Sequence, residues 1–242
     1  MKKETLDELT KLQDALNELI TPNWKTNRNE LDFMVANHQE MAELIDTEYV
    51  DANGQKHALG WKWWKGAEGQ RTMDSVDWDS MHTGVKNNIK IELTDLLFFT
   101  LSQKVLGDLT GEDETVQLSE NDWINFVSIS ANNLLQRPGA ALMLILELAN
   151  KIGFNISAYY IAKHTLNHIR QLSGYKDGTY VKVNKGIEDN ELLHSVIENI
   201  SIEDIDNNFT NTADKIIDDT YDIFNVDNKD RMTVLKWKNI LK

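Results

Sequence analysis

The stretch NNIKIELTDLLFF, residues 87–99, sets Glu92 and Asp95 three positions apart inside an apolar run made of Ile89, Ile91, Leu93, Leu96, Leu97, Phe98 and Phe99. Three positions on a helix bring two side chains to one face, so both carboxylates point the same way out of a largely buried segment. A second pair, Glu40 and Glu43 in HQEMAELID, has the same spacing. If the two helices pack side by side, four carboxylates converge. Like charges about 4 Å apart repel by roughly 4 kcal/mol at an effective dielectric near 20. That is large against a net stability of about 5–15 kcal/mol. Protonation, a basic partner or a divalent metal would offset it. All-oxygen ligation selects a hard cation, Mg2+ first and Mn2+ as its usual substitute. Either pair alone reads as a solvated helix face; two pairs, one of them in an apolar run, favour a metal site. Asp46, one turn beyond Glu43, reads as a surface acid.

The basic counterpart lies in KHTLNHIRQLSGYKDGTYVKVNK, residues 163–185, which carries a local charge of +4 in a chain whose formal net charge is -14. Lys163, Asn167 and Arg170 follow i, i+4, i+7 spacing, so one helix face displays an ammonium, an amide and a guanidinium, groups suited to an anion. Taken alone, the segment reads equally as a solvated basic helix end. Gly174 and Gly178 let the following loop approach a ligand. Neither G-x-x-x-x-G-K-[ST] nor G-x-G-x-x-G occurs, which removes the P-loop and the dinucleotide fingerprint. His164 and His168 lack the Glu of H-E-x-x-H and a third ligand, so a core or surface role is expected for both. No G-x-S-x-G marks a serine hydrolase.

These residues need helices to position them. Long stretches carry helical periodicity and only two prolines occur, Pro22 and Pro138. The patterning predicts an all-α chain, with helices at 3–20, 28–48, 86–106, 120–136, 139–152, 156–173, 188–199 and 212–224. Between the second and third lies an aperiodic, tryptophan-rich segment that reads as a binding loop. With 242 residues, 41% of them hydrophobic, one globular domain over 1–242 is expected. The excess of acids, 39 against 25 basic residues, opposes binding to nucleic acid or an anionic membrane. The absence of cysteine removes disulfides, thiolate metal sites and cysteine nucleophiles. The N-terminus reads as a charged amphipathic helix rather than a signal peptide, and no apolar run reaches the length of a membrane span. A soluble cytoplasmic or otherwise intracellular protein is the expectation.

With these segments identified, the sequence resembles the dimeric all-α dUTP pyrophosphatases (dUTPases), relatives of the MazG-type nucleotide pyrophosphohydrolases. LQDALN (12–17) is similar to the family's first motif, EMAELID (40–46) and WKWWK (61–65) to its second, and NNIKIELTD (87–95) to its third. KHTLNHIRQLSGYKDGTYVKVNKGIEDN (163–190) resembles a fourth and fifth almost continuously. The resemblance implies that Glu40, Glu43, Glu92 and Asp95 are the Mg2+ ligands. It implies that Gln13 and Asn17 face the uracil and deoxyribose, with Trp24 or a loop tryptophan enclosing the base and Asn88 touching the nucleotide. Lys163, Asn167 and Arg170 would hold sugar and phosphates, joined by Tyr175, Lys176, Lys182 and Asn190. The chain departs from the family pattern in AEGQRTMDSVDWDSMHTGV, which is longer than the usual loop. It departs again at VNKG, which bears on the lid contacts of Lys182 and Lys185.

The implied reaction is Mg2+-dependent hydrolysis of dUTP, and of dUDP, to dUMP, releasing pyrophosphate or phosphate. Glu43 or Glu40 would orient and deprotonate the attacking water. Hydrogen-bonding groups such as Gln13 and Asn17 would reject cytosine, because mispaired buried polar groups are costly. A helical lid around 156–200 would close over the nucleotide. A homodimer is implied as well, through an apolar surface within 123–150. The alternatives are a related pyrophosphohydrolase with another base preference (dCTP or a non-canonical triphosphate), a non-catalytic nucleotide- or protein-binding helical module, and a purely structural helical protein.

Overall fold

A computed structural model describes residues 1–58, 78–79, 81–107, 109, 136–184 and 186–242. Among these, ten α-helices, one 3-10 turn (Asn228–Asp230) and two short hairpins account for the regular structure, and the chain is all-α. In chain order the helices are α1 (Lys3–Ile20), α2 (Trp24–Asn27), α3 (Glu30–Ile45), α4 (Thr83–Leu106), α5 (Pro138–Lys151), α6 (Ile156–Leu172), α7 (Asp189–Ile197), α8 (Ile202–Asn207), α9 (Phe209–Ile223) and α10 (Val234–Ile240). Strands β1 (Glu48–Val50) and β2 (Lys56–Ala58) pair antiparallel, as do β3 (Val183–Asn184) and β4 (Ile187–Glu188). The helix predicted at 120–136, the tryptophans of WKWWK and Lys185 lie outside the described residues, as does most of the apolar surface expected within 123–150.

The described helices match the periodic segments closely, and the differences have local causes. The second predicted helix stops at Ile45 rather than 48, because the chain turns into β1. α4 begins at Thr83, three residues early, since His82 caps it by accepting the Gly84 N–H on its Nδ1 at 3.1 Å. Helices α2, α8 and α10 were not predicted; each has seven residues or fewer, too short to show periodicity. Their caps define two of them. Ser201 and Asp204 form a capping box at α8, and the Thr233 hydroxyl accepts the Lys236 N–H at α10.

Two compact units emerge. The first comprises Met1–Asn29, Lys104–Leu106 and Asn155–Lys242, the second Glu30–Gln103 and Gly107–Phe154. In the first, α6 is the central helix and packs against α1, α7, α8 and α9, while α10 packs along α1. That explains why α6 is buried nearly all round, from Ile156 to Arg170. His164 and His168 belong to this core, as expected. Burial pushes both imidazoles down to about 4. His164 Nε2 meets the Leu12 carbonyl at 2.9 Å, and His168 Nδ1 meets the Tyr221 hydroxyl at 2.7 Å.

In the second unit, α3 presents Asn37, Met41 and Leu44 inward, and α4 buries residues on most of its circumference. α5 is apolar too, and Leu142, Leu144, Ile145 and Leu148 are buried within the chain itself. Gly84 is required where it stands: a Cβ there would lie 2.3 Å from the Tyr49 ring of β1. The Asn88 amide donates to the Glu48 carbonyl at 2.8 Å, tying the same hairpin to α4. Among the described residues no single helix is long and apolar enough to cross a membrane.

Candidate active site

The carboxylates of Glu40 and Glu43 on α3 and Glu92 on α4 come together, each offering an oxygen within 4.8 Å of the others. Glu40 and Glu92 are half-buried and Glu43 is exposed, as their angular positions require: Glu40 lies at the margin of the buried Asn37–Met41–Leu44 face, and Glu43 a further turn of the wheel outward. Asp95, half-buried one turn beyond Glu92, stands outside this three-carboxylate group, and Asp46 is exposed. The Gln39 amide donates to Glu43 Oε1 at 3.0 Å.

Three features of this arrangement fit a hard divalent cation. The donor set is entirely carboxylate oxygen, which suits Mg2+ or Mn2+ over softer ions. Glu43 lies in the last turn of α3, at the negative end of the helix, and that turn contains no basic residue. Each pair of carboxylate charges 4.8 Å apart repels by between about 0.9 kcal/mol in bulk water and about 3.5 kcal/mol at an effective dielectric of 20. Lys90, although only two residues before Glu92, lies on another side of α4, its ammonium 5.8 Å from the Phe154 ring centre. Burial there pulls its pKa below the usual lysine range, and Lys86 adds to the effect.

A second grouping of metal-type ligands, Asp51, His57 and His82, also meets within 4.8 Å. Its geometry is that of a stacked cap. The imidazoles of His57 and His82 lie face to face, 4.0 Å apart and 19° from parallel, and the Tyr49 ring also stacks on His82, 5.1 Å away. In-plane lone pairs of stacked rings run side by side instead of converging on one point. Moreover, His82 Nδ1 already accepts the Gly84 N–H, and His57 Nε2 pairs with Asp51 at 3.1 Å. The grouping closes the hairpin onto the start of α4.

The residues expected to hold a nucleotide belong, apart from Asn88, to the first unit. Gln13 is buried; its amide donates to Asn17 Oδ1 at 2.9 Å while its own Oε1 accepts the Tyr160 hydroxyl at 2.7 Å. Tyr160 therefore fixes which way the Gln13 amide points, and burial holds its phenol well above the ordinary range. Trp24 is enclosed to within 1% of full burial, with its indole N–H donated to Asp14 at 3.0 Å. Lys163 is buried on α6. The Lys176 ammonium reaches the Ile20 carbonyl at the end of α1.

Arg170 is held by an ion pair that the sequence did not announce. Its Nε and Nη2 donate to the two oxygens of Asp189 at 2.9 and 2.7 Å, a bidentate geometry. Its Nη1 donates to Asn167 Oδ1 at 3.2 Å, and Nη2 also approaches Asn190 Oδ1 at 3.4 Å. The Tyr180 hydroxyl donates to Asp189 as well, at 2.9 Å; burial, then the Asp189 charge, pushes that phenol up to about 12. The guanidinium of Arg170 and the exposed ammonium of Lys182 both lie over Tyr175, 5.9 and 5.6 Å from its ring centre. Gly174 ends α6 at φ +84°, and a Cβ there would meet the Thr179 hydroxyl at 2.1 Å, so the turn that carries Tyr175 and Lys176 closes only on glycine. Asp189 and Tyr160, which hold Arg170 and Gln13, and Tyr180, which donates to Asp189, are residues that spacing did not single out. The only sequence signal was Asp189 itself, an acid following a strongly basic stretch.

A family model described as dUTPase matches residues 5–175 of the chain. The chain belongs to the dUTPase family. That span contains Gln13 and Asn17, all four motif acids, Lys163, Asn167 and Arg170, and it ends at Tyr175. dUTPase membership supports hydrolysis of dUTP and a nucleotide substrate. No curated protein matches the chain.

Proposed function

We propose that this dUTPase-family chain hydrolyses dUTP to dUMP and pyrophosphate in a Mg2+-dependent reaction, and dUDP to dUMP and phosphate. The observation that carries the reading is the meeting of Glu40, Glu43 and Glu92, acids that lie within the family match. These three would hold the metal, with Asp95 on the adjoining turn as a fourth. When bound, Mg2+ supplies charge neutralisation at the phosphoryl oxygens and makes water more acidic.

The chain's own groups do the rest. Glu43, the most exposed of the three, would accept the proton of the attacking water, with the Gln39 amide bonded to its Oε1; Glu40 is the alternative base. Water adds to the β-phosphorus and the bond to the α-phosphate's bridging oxygen breaks, so the electron pair leaves with dUMP. Lys163, Lys176 and Lys182 would stabilise the polyphosphate charge, with Asn167, Arg170, Tyr175 and Asn190 shaping the surrounding surface. Gln13 and Asn17 would read the uracil edge, the orientation of Gln13 set by Tyr160. Trp24 and Asn88 would support this arrangement from within their helices.

The test is pyrophosphate release from dUTP, dCTP, dTTP and UTP with and without Mg2+. Preference for dUTP and loss of activity in chelator support the reading; equal rates without metal, or preference for another base, overturn it. A homodimer belongs to the same proposal, and a monomer mass by light scattering would remove that part alone.

A further inference from the structure

We infer that Asn37, tied to Thr100 and Gln103, is a positioning residue that sets the register of α3 on α4 and thereby assembles the acid cluster; the inference rests on the metal-binding reading of Glu40, Glu43 and Glu92. Asn37 is fully buried, and its Nδ2 donates to Gln103 Oε1 at 3.0 Å and Thr100 Oγ1 at 3.3 Å. Thr100 accepts this bond while donating its own hydroxyl to the Leu96 carbonyl at 2.7 Å, so its oxygen is held in place. The other residues facing inward from α3 are Met41 and Leu44, and Phe33 meets Phe99 with ring centres 6.5 Å apart.

Such a trio is an expensive way to join two helices. Asn37 Oδ1 is buried without a hydrogen-bond partner among the described residues, so the amide recovers only part of what it loses on leaving water. Apolar residues of similar volume would hold the helices together at least as well, and the best-attested use of a buried polar group in a helical interface is to exclude alternative registers. The acid cluster is sensitive to register. A slip of one turn displaces a helix by about 5.4 Å, which exceeds the 4.8 Å that spans all three carboxylates. Mg2+ also demands oxygens at about 2.0–2.1 Å in near-ideal geometry, a tolerance that a loosely registered apolar interface does not provide. Asn37 precedes Glu40 by one turn on nearly the same face, so any roll of α3 that breaks the amide's bonds also swings Glu40.

The test replaces the trio by apolar side chains, Asn37→Leu with Thr100→Val and Gln103→Met, and measures Mn2+ binding by electron paramagnetic resonance alongside thermal unfolding. The expected result is an unchanged or higher melting temperature together with Mn2+ affinity lower by about 10–100-fold, the loss typical of removing supporting groups behind metal ligands. The exchange variant Asn37→Gln with Gln103→Asn, which keeps the bonding groups, should recover most of that affinity. If the triple variant does not fold, Gln103→Met alone must still weaken binding. Wild-type affinity in the folded triple variant, or in Gln103→Met when the triple variant does not fold, overturns the inference. Absence of Mn2+ binding by the unaltered chain overturns the metal-binding reading instead.

Discussion

In the second unit three acids meet one another, and in the first the guanidinium at the end of α6 meets an opposite charge. Glu40, Glu43 and Glu92 lie within 4.8 Å of one another at a helix end without a basic residue. Arg170 and Asp189 form a bidentate pair, with side chains 9% and 4% exposed. The Arg170–Asp189 pair is a brace between residues 19 positions apart. The brace holds the 174–190 stretch, with Tyr175, Tyr180, Lys182 and Asn190, against α6. Charge spacing marks where ions matter without naming the partner each one finds.

Substitution of the acids should have the largest effect. Glu92→Gln or Glu43→Gln should reduce turnover by about 10²–10⁴-fold, the usual range for a lost acid–base group, while the melting temperature stays level or rises because a like-charge repulsion is gone. Steady-state dUTP hydrolysis and thermal unfolding of the same samples check both halves, and a marked drop in stability would make these acids structural. At the brace the signs reverse. Asp189→Ala removes the bidentate carboxylate from a buried guanidinium and should cost about 3–5 kcal/mol of stability, read by urea denaturation. A loss near zero would return Arg170 to the role of a phosphate arm.

The core of the first unit adds a pH signature of its own. His164 and His168 titrate near 4 in the fold because burial disfavours the charged ring, against an ordinary value of about 6.5 in the unfolded chain. With folded values below unfolded ones, the unfolded state binds more protons between these limits. Stability is therefore complete above about pH 6.5 and declines toward pH 4, by up to about 1.4 kcal/mol per pH unit for each ring. Urea midpoints at pH 7 and pH 5 should show the decline, and His168→Gln should flatten it. The smallest expected effect concerns selectivity. Gln13→Met removes the acceptor of the Tyr160 hydroxyl and the donor to Asn17, and should narrow the kcat/KM ratio of dUTP over dCTP by about 1–3 kcal/mol. An unchanged ratio would place base recognition elsewhere.

Much of the fold was legible because its long helices carry strong periodicity: α1, α4, α5, α6 and α9 fall within three residues of the predicted ends. The short helices and both hairpins were not, since a segment such as Val234–Ile240 is held by its cap and by burial of Trp237, neither of which leaves a repeating pattern. The acids of the site were legible for the same reason as the helices, because i, i+3 spacing on a helix fixes a shared face. Which of them meet was not: Glu40, Glu43 and Glu92 group within 4.8 Å of one another.

By itself the sequence determined the helical class, the paired faces of acids and bases, and the family resemblance, all of which depend on residues a few positions apart. Only the tertiary structure decided that Asp189 binds Arg170, that Tyr160 orients Gln13 and that Asn37 joins α3 to α4. These are contacts between residues separated by 19, 147 and 66 positions. Helical periodicity is a local property of the backbone, whereas the choice among partners for a buried polar group is made by packing, after the helices have formed.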